Sequence, residues 1–514
     1  DVLVAEKAIE ELRKTLKEER QFNDEVIEQT KENFTALRTF QSIFQAPCNT
    51  RVKEKLDELE KSVNHALSKV ETELADKVSL NRQEELNKIK VVLLDCQWQL
   101  QEDIGEAIRD LQTLNGGPWT IEQEERIHHL WQIDCCLRNV GRIEIRGRDS
   151  AGISVMISFR ERESYDQFIE ELQDTGLWDT LERRKSSQDF SAFSVIGGEF
   201  PGFIFSYKVA KEIGRMGENV SKLRRDIRQD RLLASLLDRG DLDFNVLAHT
   251  RWASNGVISE PNAHPQDCRS AGEAAESGRI CAVLNGDIDN YQILLEQYKK
   301  RTGREVSSSI TTDAKIIPLL IGERYRESGN FLEAFRETVR DFEGSFAIAV
   351  HQLDCPEKFY LAIKGSGQSL YVGLAQDSIV VASELYGVVE CTPRFIKMDG
   401  EWGANEDNAG QVLVVSQDAL ASQDYRAELV SQAGASQDYR AALVSQAGAS
   451  HDLQRPLGEH ETMKDEEAPL VGYGFDGTPL PNEALKIRKA EITTRDICLG
   501  GWSHYFLKEV NESV

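Results

Sequence analysis

The first part of the chain carries apolar residues at the spacing of an amphipathic helix. Between residues 56 and 111 they recur three and four positions apart, on segments that are otherwise mostly charged. This stripe predicts helices that pack antiparallel to one another, and it is also typical of a coiled coil that binds a partner. Pro47 is expected to separate the first helix from the second, and Asn81 with Glu84 is a candidate N-terminal cap of a third. We therefore predict a helical arm over residues 1–114.

The chain changes character after the helical arm. The sequence NGGP at 115–118 is typical of a turn, and Thr120 with Gln123 begins a helix that we predict through Leu137. From Ile143 onward the apolar residues follow a period of two, interrupted by glycines, as in strands and turns. This mixture predicts an α+β domain with sizeable sheets. Further helices are predicted at 210–237, 290–301 and 313–328, and strands at 202–209, 244–250, 280–286, 345–350, 359–365, 370–375 and 378–383.

A tandem repeat follows the predicted sheets. Residues 421–434 and 435–448 are two copies of one segment that differ only at Glu428 and Ala442. Two copies of small and polar residues indicate a duplication in a tolerant loop rather than a solenoid. We therefore divide the chain into four parts, which are a helical arm (1–114), a domain of helices and sheets (115–415), a repeat-containing loop (416–470) and an end segment (471–514).

The composition excludes some classes of function. The chain has 514 residues and a formal net charge of -26, and so acidic a protein repels nucleic-acid phosphate. No apolar run approaches the roughly 18 residues that cross a bilayer, which predicts a protein without a membrane partner. The 9 cysteines are scattered and form no CxxC pair, so we predict neither a metal site nor a disulfide framework. A cytoplasmic location is expected from this cysteine usage.

A few polar residues suit a site for an amino-acid substrate. The guanidinium of Arg251 can hold an α-carboxylate, and the carboxylate of Asp313 can hold an α-ammonium. Asn285 and Gly286 offer N–H donors for the oxyanion that forms when a side-chain amide is attacked. Taken alone, each has an ordinary explanation, since Asn-Gly is typical of a hairpin turn and aspartate often caps a helix.

Six segments in order resemble the motifs of the class II glutamine amidotransferases. The resemblance is strongest to the glutaminase domains of the glutamine–fructose-6-phosphate aminotransferases. The segments are RGRDSAGI (146–153), HTRWASNG (249–256), NAHP (262–265), NGDIDNY (285–291), TTDAKII (311–317) and EGSFAIAV (343–350). The resemblance implies that 115–415 is an amidotransferase domain with the four-layer αββα fold of N-terminal-nucleophile hydrolases, into which the helical, coiled-coil-like arm is inserted.

The resemblance also implies roles for individual residues. Those that would contact glutamine or lie beside it are Arg251 at the carboxylate, Asp313 at the amino group, Ser254, Arg146 and Gly147. Asn285 and Gly286 would form the oxyanion hole, and Trp252 would belong to a loop that closes over the site. L-Glutamine would be hydrolysed without a metal or organic cofactor, and the ammonia would pass to fructose 6-phosphate to make glucosamine 6-phosphate.

The sequence departs from the family pattern at several positions. The family's nucleophile is a cysteine at the mature N-terminus, whereas Asp1 stands first here, so we expect an internal fragment of a longer enzyme that also contains sugar-isomerase domains. Cys281, Cys268 and Cys48 are expected to be packed rather than reactive. Four more positions differ from the family's usual residues, namely Arg148, Asn255, Leu284 and Lys315.

Two alternatives to a glutaminase stay open at this point. The domain could bind glutamine without turning it over, retaining Arg251 and Asp313 but no nucleophile. It could also serve as a scaffold whose helical arm recruits partners. The sequence leaves open whether the protein is a homo-oligomer.

Overall fold

The structure, a computed structural model, describes most of the chain. The described residues are 24–144, 147–186, 194–197, 200–210, 216–252, 256–273, 279–375, 378–403, 409–416 and 470–497, with a few single positions before residue 24. Both repeat copies lie outside the described residues, and the division into four parts stays a prediction.

Residues 24–143 are mostly helical. The helices are α1 (Asp24–Ala36), α2 (Phe40–Cys48), α3 (Thr50–Ala75), α4 (Leu80–Trp98), α5 (Ile104–Asn115) and α6 (Glu124–Ile143). One π-helical turn, Gln99–Asp103, joins α4 to α5. The predicted cap at Asn81 is wrong, because Ser79 caps α4 by accepting a hydrogen bond from the amide of Arg82. The predicted start at Thr120 is confirmed, since Thr120 and Gln123 form a capping box ahead of α6.

The predicted apolar stripe is buried between the helices. Leu59 and Val63 of α3 pack with Leu86 and Leu93 of α4, and all four side chains are at most 1% exposed. Helix α2 belongs to a different core, because Phe44 packs with residues of α6 and of the first sheet. The coiled-coil role of this region stays a prediction.

Three antiparallel sheets follow the helices. The strands are β1 (Ser150–Phe159), β2 (Val195–Gly197), β3 (Gly202–Ala210), β4 (Leu242–Arg251), β5 (Gln266–Asp267), β6 (Ile280–Gly286), β7 (Phe346–Gln352), β8 (Lys358–Lys364), β9 (Tyr371–Leu374), β10 (Ile379–Ala382), β11 (Arg394–Lys397), β12 (Gln411–Ser416), β13 (Leu470–Gly474) and β14 (Arg488–Lys489). The first sheet has the order β2-β3-β1-β4, the second β13-β12-β8-β7-β6-β5 and the third β10-β9-β11-β14. The α+β prediction and the seven predicted strands are confirmed.

The remaining helices flank these sheets. They are α7 (Arg162–Asp174), α8 (Trp178–Lys185), α9 (Glu218–Gln229), α10 (Arg231–Ala234), α11 (Tyr291–Thr302), α12 (Ile316–Ser328) and α13 (Phe331–Arg340). Helices α6 and α9 pack on the first sheet, whereas α12 and α13 pack on the second. The first two sheets meet where β4 contacts β6 and β7.

A buried histidine crosses the space between the first two sheets. His351 of β7 lies 3.0 Å from the hydroxyl of Ser154 on β1 and 3.0 Å from the side-chain oxygen of Asn245 on β4. Burial lowers the pKa of His351 to about 3, so the ring is neutral at ordinary pH. This polar contact joins β7 of the second sheet to β1 and β4 of the first.

The end of the described chain is attached to the helical region. Thr494 donates a hydrogen bond to Asp103 at 2.6 Å, and Arg495 pairs with Asp95 of α4 at 2.7 Å. Lys489 of β14 pairs with Glu28 of α1. Residues 489–495 therefore connect the third sheet to the helices.

The sequence predicted neither a membrane-spanning helix nor reactive cysteines at 268, 281 and 48. Among the described helices, none combines the length and the apolar character that a membrane crossing requires. The side chains of Cys268 and Cys281 are 2% and 0% exposed, as predicted for core residues, and Cys48 is half-buried.

Candidate functional site

A cavity of about 460 Å³ lies between the edges of two sheets. Every residue of β4 from Phe244 to Arg251 lines it, and so does every residue of β10. Among the described strands, β4 is an edge strand of the first sheet and β10 is an edge strand of the third. The cavity is therefore a long slot that runs beside two strand edges, with apolar residues of the second sheet, such as Val283 and Ala349, along it.

The slot contains most of the predicted site residues. Five of them line it, namely Arg251, Trp252, Asn285, Gly286 and Asp313. Gly147 lies beside the slot, while Arg146 and Ser254 fall outside the described residues. Residues from four separate motifs thus meet at one place, although the contacts of Arg146 and Ser254 stay predictions.

Arg251 is the last residue of β4, and its side chain is largely buried. The residue is 5% exposed, and its guanidinium donates a hydrogen bond to the carbonyl oxygen of Asn262 at 3.3 Å. Burial lowers the pKa of Arg251, while the carboxylates of Asp313 and Asp149 oppose this shift. Since the ordinary pKa of arginine is so high, the guanidinium keeps its charge and can bind a carboxylate.

Asp313 begins the short turn that leads into α12. One carboxylate oxygen accepts a hydrogen bond from the amide of Ile288 at 3.1 Å, and the other accepts one from the amide of Ala314 at 3.0 Å. Burial raises the pKa of Asp313, although the Ile288 amide favours the ionised form. These hydrogen bonds hold the carboxylate in a fixed orientation at the slot, where it can accept an ammonium group.

Asn285 and Gly286 end strand β6, opposite Ala347 and Phe346 of β7. Gly286 has a φ of 94°, and a Cβ at this position would lie 2.1 Å from the carbonyl oxygen of Ser345. Glycine is therefore required here by both conformation and space. Both residues are half-buried and line the slot.

Gly147 and Trp252 meet at the end of β4. A Cβ on Gly147 would lie 2.5 Å from the amide nitrogen of Trp252, so the backbone of the first motif passes directly against that of the second. Thr250 donates a hydrogen bond to the carbonyl oxygen of Gly147. Trp252 itself lines the slot and is 72% exposed.

No role was predicted from the sequence for the residues of the segment NAHP (262–265). Asn262 and His264 lie behind the site and are 1% and 3% exposed. The rings of His264 and His249 are tilted against each other with 4.5 Å between their centroids, and burial lowers the pKa of His249 to about 4. Two histidines on adjacent predicted motifs were the signal that could have identified this layer.

Two positions that depart from the family pattern make buried local contacts. Leu284 is buried, and its backbone amide donates a hydrogen bond to Nδ1 of His264 at 3.4 Å. Lys315 pairs with the carboxylate of Asp267 at 2.8 Å. Burial alone would raise the pKa of Asp267, but Arg269 and Lys315 lower it to about 2. Within the described residues, no group of three or more candidate ligands could hold a metal ion.

Comparison with known proteins identifies the family that these motifs resemble. A family model described as a glutamine amidotransferase domain matches residues 269–390. The resemblance to the glutamine amidotransferases is confirmed. Asn285, Gly286 and Asp313 lie inside the matched range of the amidotransferase domain, and Arg251 lies before it but lines the same slot.

The sequence relatives are named glutamine–fructose-6-phosphate aminotransferases (isomerizing). The chain is 37% identical over 166 residues to that of Pyrococcus horikoshii, which covers 32% of this chain and 26% of the relative. It is 37% identical over 158 residues to that of Thermococcus kodakarensis (30% and 24%) and 31% identical over 186 residues to that of Aquifex aeolicus (36% and 28%). The chain thus spans about a quarter of the length of these relatives.

Solved structures give a weaker likeness. The glutamine phosphoribosylpyrophosphate amidotransferase of B. subtilis, in complex with ADP and GMP, matches with a TM-score of 0.32 at 15% identity. The match covers 55% of this chain and 44% of that one.

Proposed function

We propose that the slot binds L-glutamine and that the amidotransferase domain hydrolyses its side-chain amide to release ammonia. The proposal rests on one observation. Arg251 and Asp313 are 62 residues apart in the sequence, yet both line one cavity together with Asn285 and Gly286. A cation and a carboxylate at the same end of a slot match the α-carboxylate and α-ammonium of an amino acid. The strand end at Asn285 supplies donors where the amide oxygen would lie.

The reaction needs a thiolate at the amide carbon of glutamine. In the family mechanism, an N-terminal cysteine attacks this carbon, and the oxyanion is stabilised by Asn285 and the Gly286 amide. The C–N bond then breaks, and the nitrogen leaves as ammonia after taking a proton from the cysteine's α-ammonium group. Water hydrolyses the resulting thioester to glutamate and restores the thiol. An extended segment between the edges of β4 and β10 would bring such a cysteine to Arg251, and the length of the slot supports this arrangement.

We also propose a layer arrangement for the fold and an acceptor for the ammonia. We infer a four-layer αββα arrangement, which is supported by α6 and α9 on the first sheet and by α12 and α13 on the second. Fructose 6-phosphate is the proposed acceptor, because the sequence relatives carry that name. The helical arm (residues 1–114) would then be an addition to the amidotransferase domain.

Glutamine binding without turnover is the second candidate for this chain alone. Cys136 lines the slot, but burial raises the pKa of its thiol to about 12, so it stays protonated. Burial likewise raises the pKa of Cys281 well above its ordinary value. Neither cysteine is activated to replace the family's nucleophile.

Calorimetry with L-glutamine tests the binding step. We expect L-glutamine to bind and D-glutamine to bind at least about tenfold more weakly, since Arg251 and Asp313 fix the stereochemistry at the α-carbon. Ammonia release in the same samples separates hydrolysis from binding alone. A chain that binds neither isomer would contradict both candidate functions.

A further inference from the structure

The segment NAHP (262–265) forms a buried layer directly behind the proposed glutamine site. Its first three residues are each at most 3% exposed. The segment lies between the end of β4 and the loop that precedes Asp313, and it contacts both through side-chain hydrogen bonds. Within the slot, His264 contributes to the lining, whereas Asn262 does not.

Asn262 joins the two groups that would hold the amino-acid end of glutamine. Its side-chain oxygen accepts hydrogen bonds from the amides of Thr311 at 2.6 Å and Thr312 at 3.0 Å. Its side-chain nitrogen donates to the hydroxyl of Ser259 at 2.8 Å and to the carbonyl oxygen of Ser309 at 3.0 Å. Its own carbonyl oxygen accepts the hydrogen bond from Arg251. One buried residue thus fixes Arg251 relative to the loop that ends at Asp313.

His264 joins that loop to the end of β6. Its Nδ1 accepts a hydrogen bond from the amide of Leu284 at 3.4 Å, and its Nε2 lies 3.2 Å from the hydroxyl of Thr312. Because Nδ1 is an acceptor, the neutral ring carries its proton on Nε2 and donates it to Thr312. The Thr312 hydroxyl can then donate to the carboxylate of Asp313 at 3.4 Å. The ring stays neutral because burial lowers the pKa of His264 well below its ordinary value.

We propose that Asn262 and His264 are positioning residues for glutamine, which set the distance between Arg251 and Asp313 and hold both against the strand end at Asn285. The inference rests on the proposed function, since it assigns these residues to the same site. Neither residue touches the reacting atoms, and both act through the groups they fix. A displacement of about 1 Å in such groups is enough to lose much of the binding or rate.

Substitutions that preserve volume and remove hydrogen bonds test this role. His264→Phe fills the space of the ring without its nitrogens, and Asn262→Leu fills the space of the amide. We expect each to lower the affinity for L-glutamine at least about tenfold in calorimetry. Hydrogen exchange measured by mass spectrometry should become faster at the amides of Leu284, for the first variant, and of Thr311 and Thr312, for the second.

A matched control separates positioning from general stability. His351 is also a fully buried histidine with two side-chain partners, and it does not line the slot. His351→Phe should lower the melting temperature at least as much as His264→Phe, yet change glutamine affinity by less than about threefold. Equal losses of affinity in both variants would overturn the inference, because they would indicate a general loss of structure.

Two conservative variants keep the test decisive if His264→Phe does not fold. In His264→Gln the amide nitrogen takes the place of Nε2 and retains the contact with Thr312, while in His264→Asn the oxygen takes the place of Nδ1 and retains the contact with Leu284. Because Asp313 holds the substrate's ammonium, we expect His264→Gln to bind within about threefold of the parent and His264→Asn to bind at least about tenfold more weakly. Identical affinities in the two variants would overturn the assignment of His264.

The same data separate this inference from the proposed function. If Asn262→Leu and His264→Phe bind L-glutamine as the parent does while Arg251→Ala does not bind, the positioning role is wrong and glutamine binding stands. If the parent does not bind L-glutamine at all, both are wrong.

Discussion

The two sides of the slot are held in place by different means. On one side, the side chains of Arg251 and Asp313 are fixed by hydrogen bonds with loop residues, chiefly Asn262 and Ile288. On the other side, Asn285 and Gly286 are fixed by backbone pairing within the second sheet. We call these the loop side and the strand side. We therefore expect substitutions on the loop side to change glutamine binding while preserving the fold. On the strand side, substitutions that disturb the backbone are expected to destabilise the fold.

The largest expected effect is on the loop side, at Arg251. Arg251→Ala should weaken L-glutamine binding at least about 100-fold, because the α-carboxylate would lose its charged hydrogen-bonding partner in a buried position. Calorimetry measures this loss. Arg251→Lys is the matched control, and it should recover part of the affinity because it keeps the charge without the planar fork. Unchanged binding by Arg251→Ala would remove this residue from the site.

On the strand side, the next largest effect is expected in stability. Gly286→Ala should lower the free energy of unfolding by about 3 kcal/mol, because the added Cβ would meet the carbonyl oxygen of Ser345 in a left-handed conformation. Gly176→Ala is the control, since Gly176 also has a positive φ of 70° but a Cβ there meets nothing within 4 Å. Chemical denaturation compares the two. Equal losses would show that conformation alone, and not the close approach of β7, requires glycine at 286.

A third effect, again on the loop side, should depend on pH. Asp313 must be ionised to hold the ammonium of glutamine, and burial raises its pKa above the ordinary value of an aspartate. Affinity should therefore be constant well above that raised pKa and fall as the pH is lowered through it. Asp313→Asn should bind about tenfold more weakly at neutral pH, with little of this pH dependence. A parallel pH profile in the parent and in Asp313→Asn would assign the titration to another group.

The smallest expected effect on binding is at Asn285. Asn285→Ala should change L-glutamine affinity by less than about threefold, because an oxyanion donor acts in the transition state rather than on the bound substrate. In an enzyme form that contains the nucleophile, the same change should lower kcat by about 100-fold or more. Calorimetry and ammonia release measure the two quantities. A large loss of ground-state binding would mean that the strand side also holds the substrate.

Much of the framework of the site could be predicted from the sequence. Strands β4 and β6 alternate or run apolar between clear turns, so Asn285 was correctly placed on a strand. Arg251 ends β4 one residue beyond the predicted strand 244–250. Helix α13 was missed, although Phe331, Ala334, Phe335 and Val339 follow the helical spacing and are buried. The helical spacing of α13 was therefore present in the sequence and was overlooked.

The layer behind the site could not be predicted in the same way. Asn262 lies 49 residues from Thr311, and His264 lies 20 residues from Leu284. Local periodicity reports which face of an element is buried, but it does not report which distant backbone group a buried side chain will meet. The pair of Lys315 with Asp267 is a further case, since neither residue alone indicates a buried ion pair.

The attachment of residues 489–495 to the helices has a mechanical consequence. Thr494 and Arg495 are bonded to Asp103 and Asp95, at the junction where α4 passes through a π-helical turn into α5. A force applied to the chain beyond residue 497 would therefore act first on these contacts with the helices and not on the third sheet. These contacts with the helices would keep a force on residues beyond 497 from reaching the slot. If the contacts broke, the movement of those residues would be transmitted to β14 and its neighbouring strands.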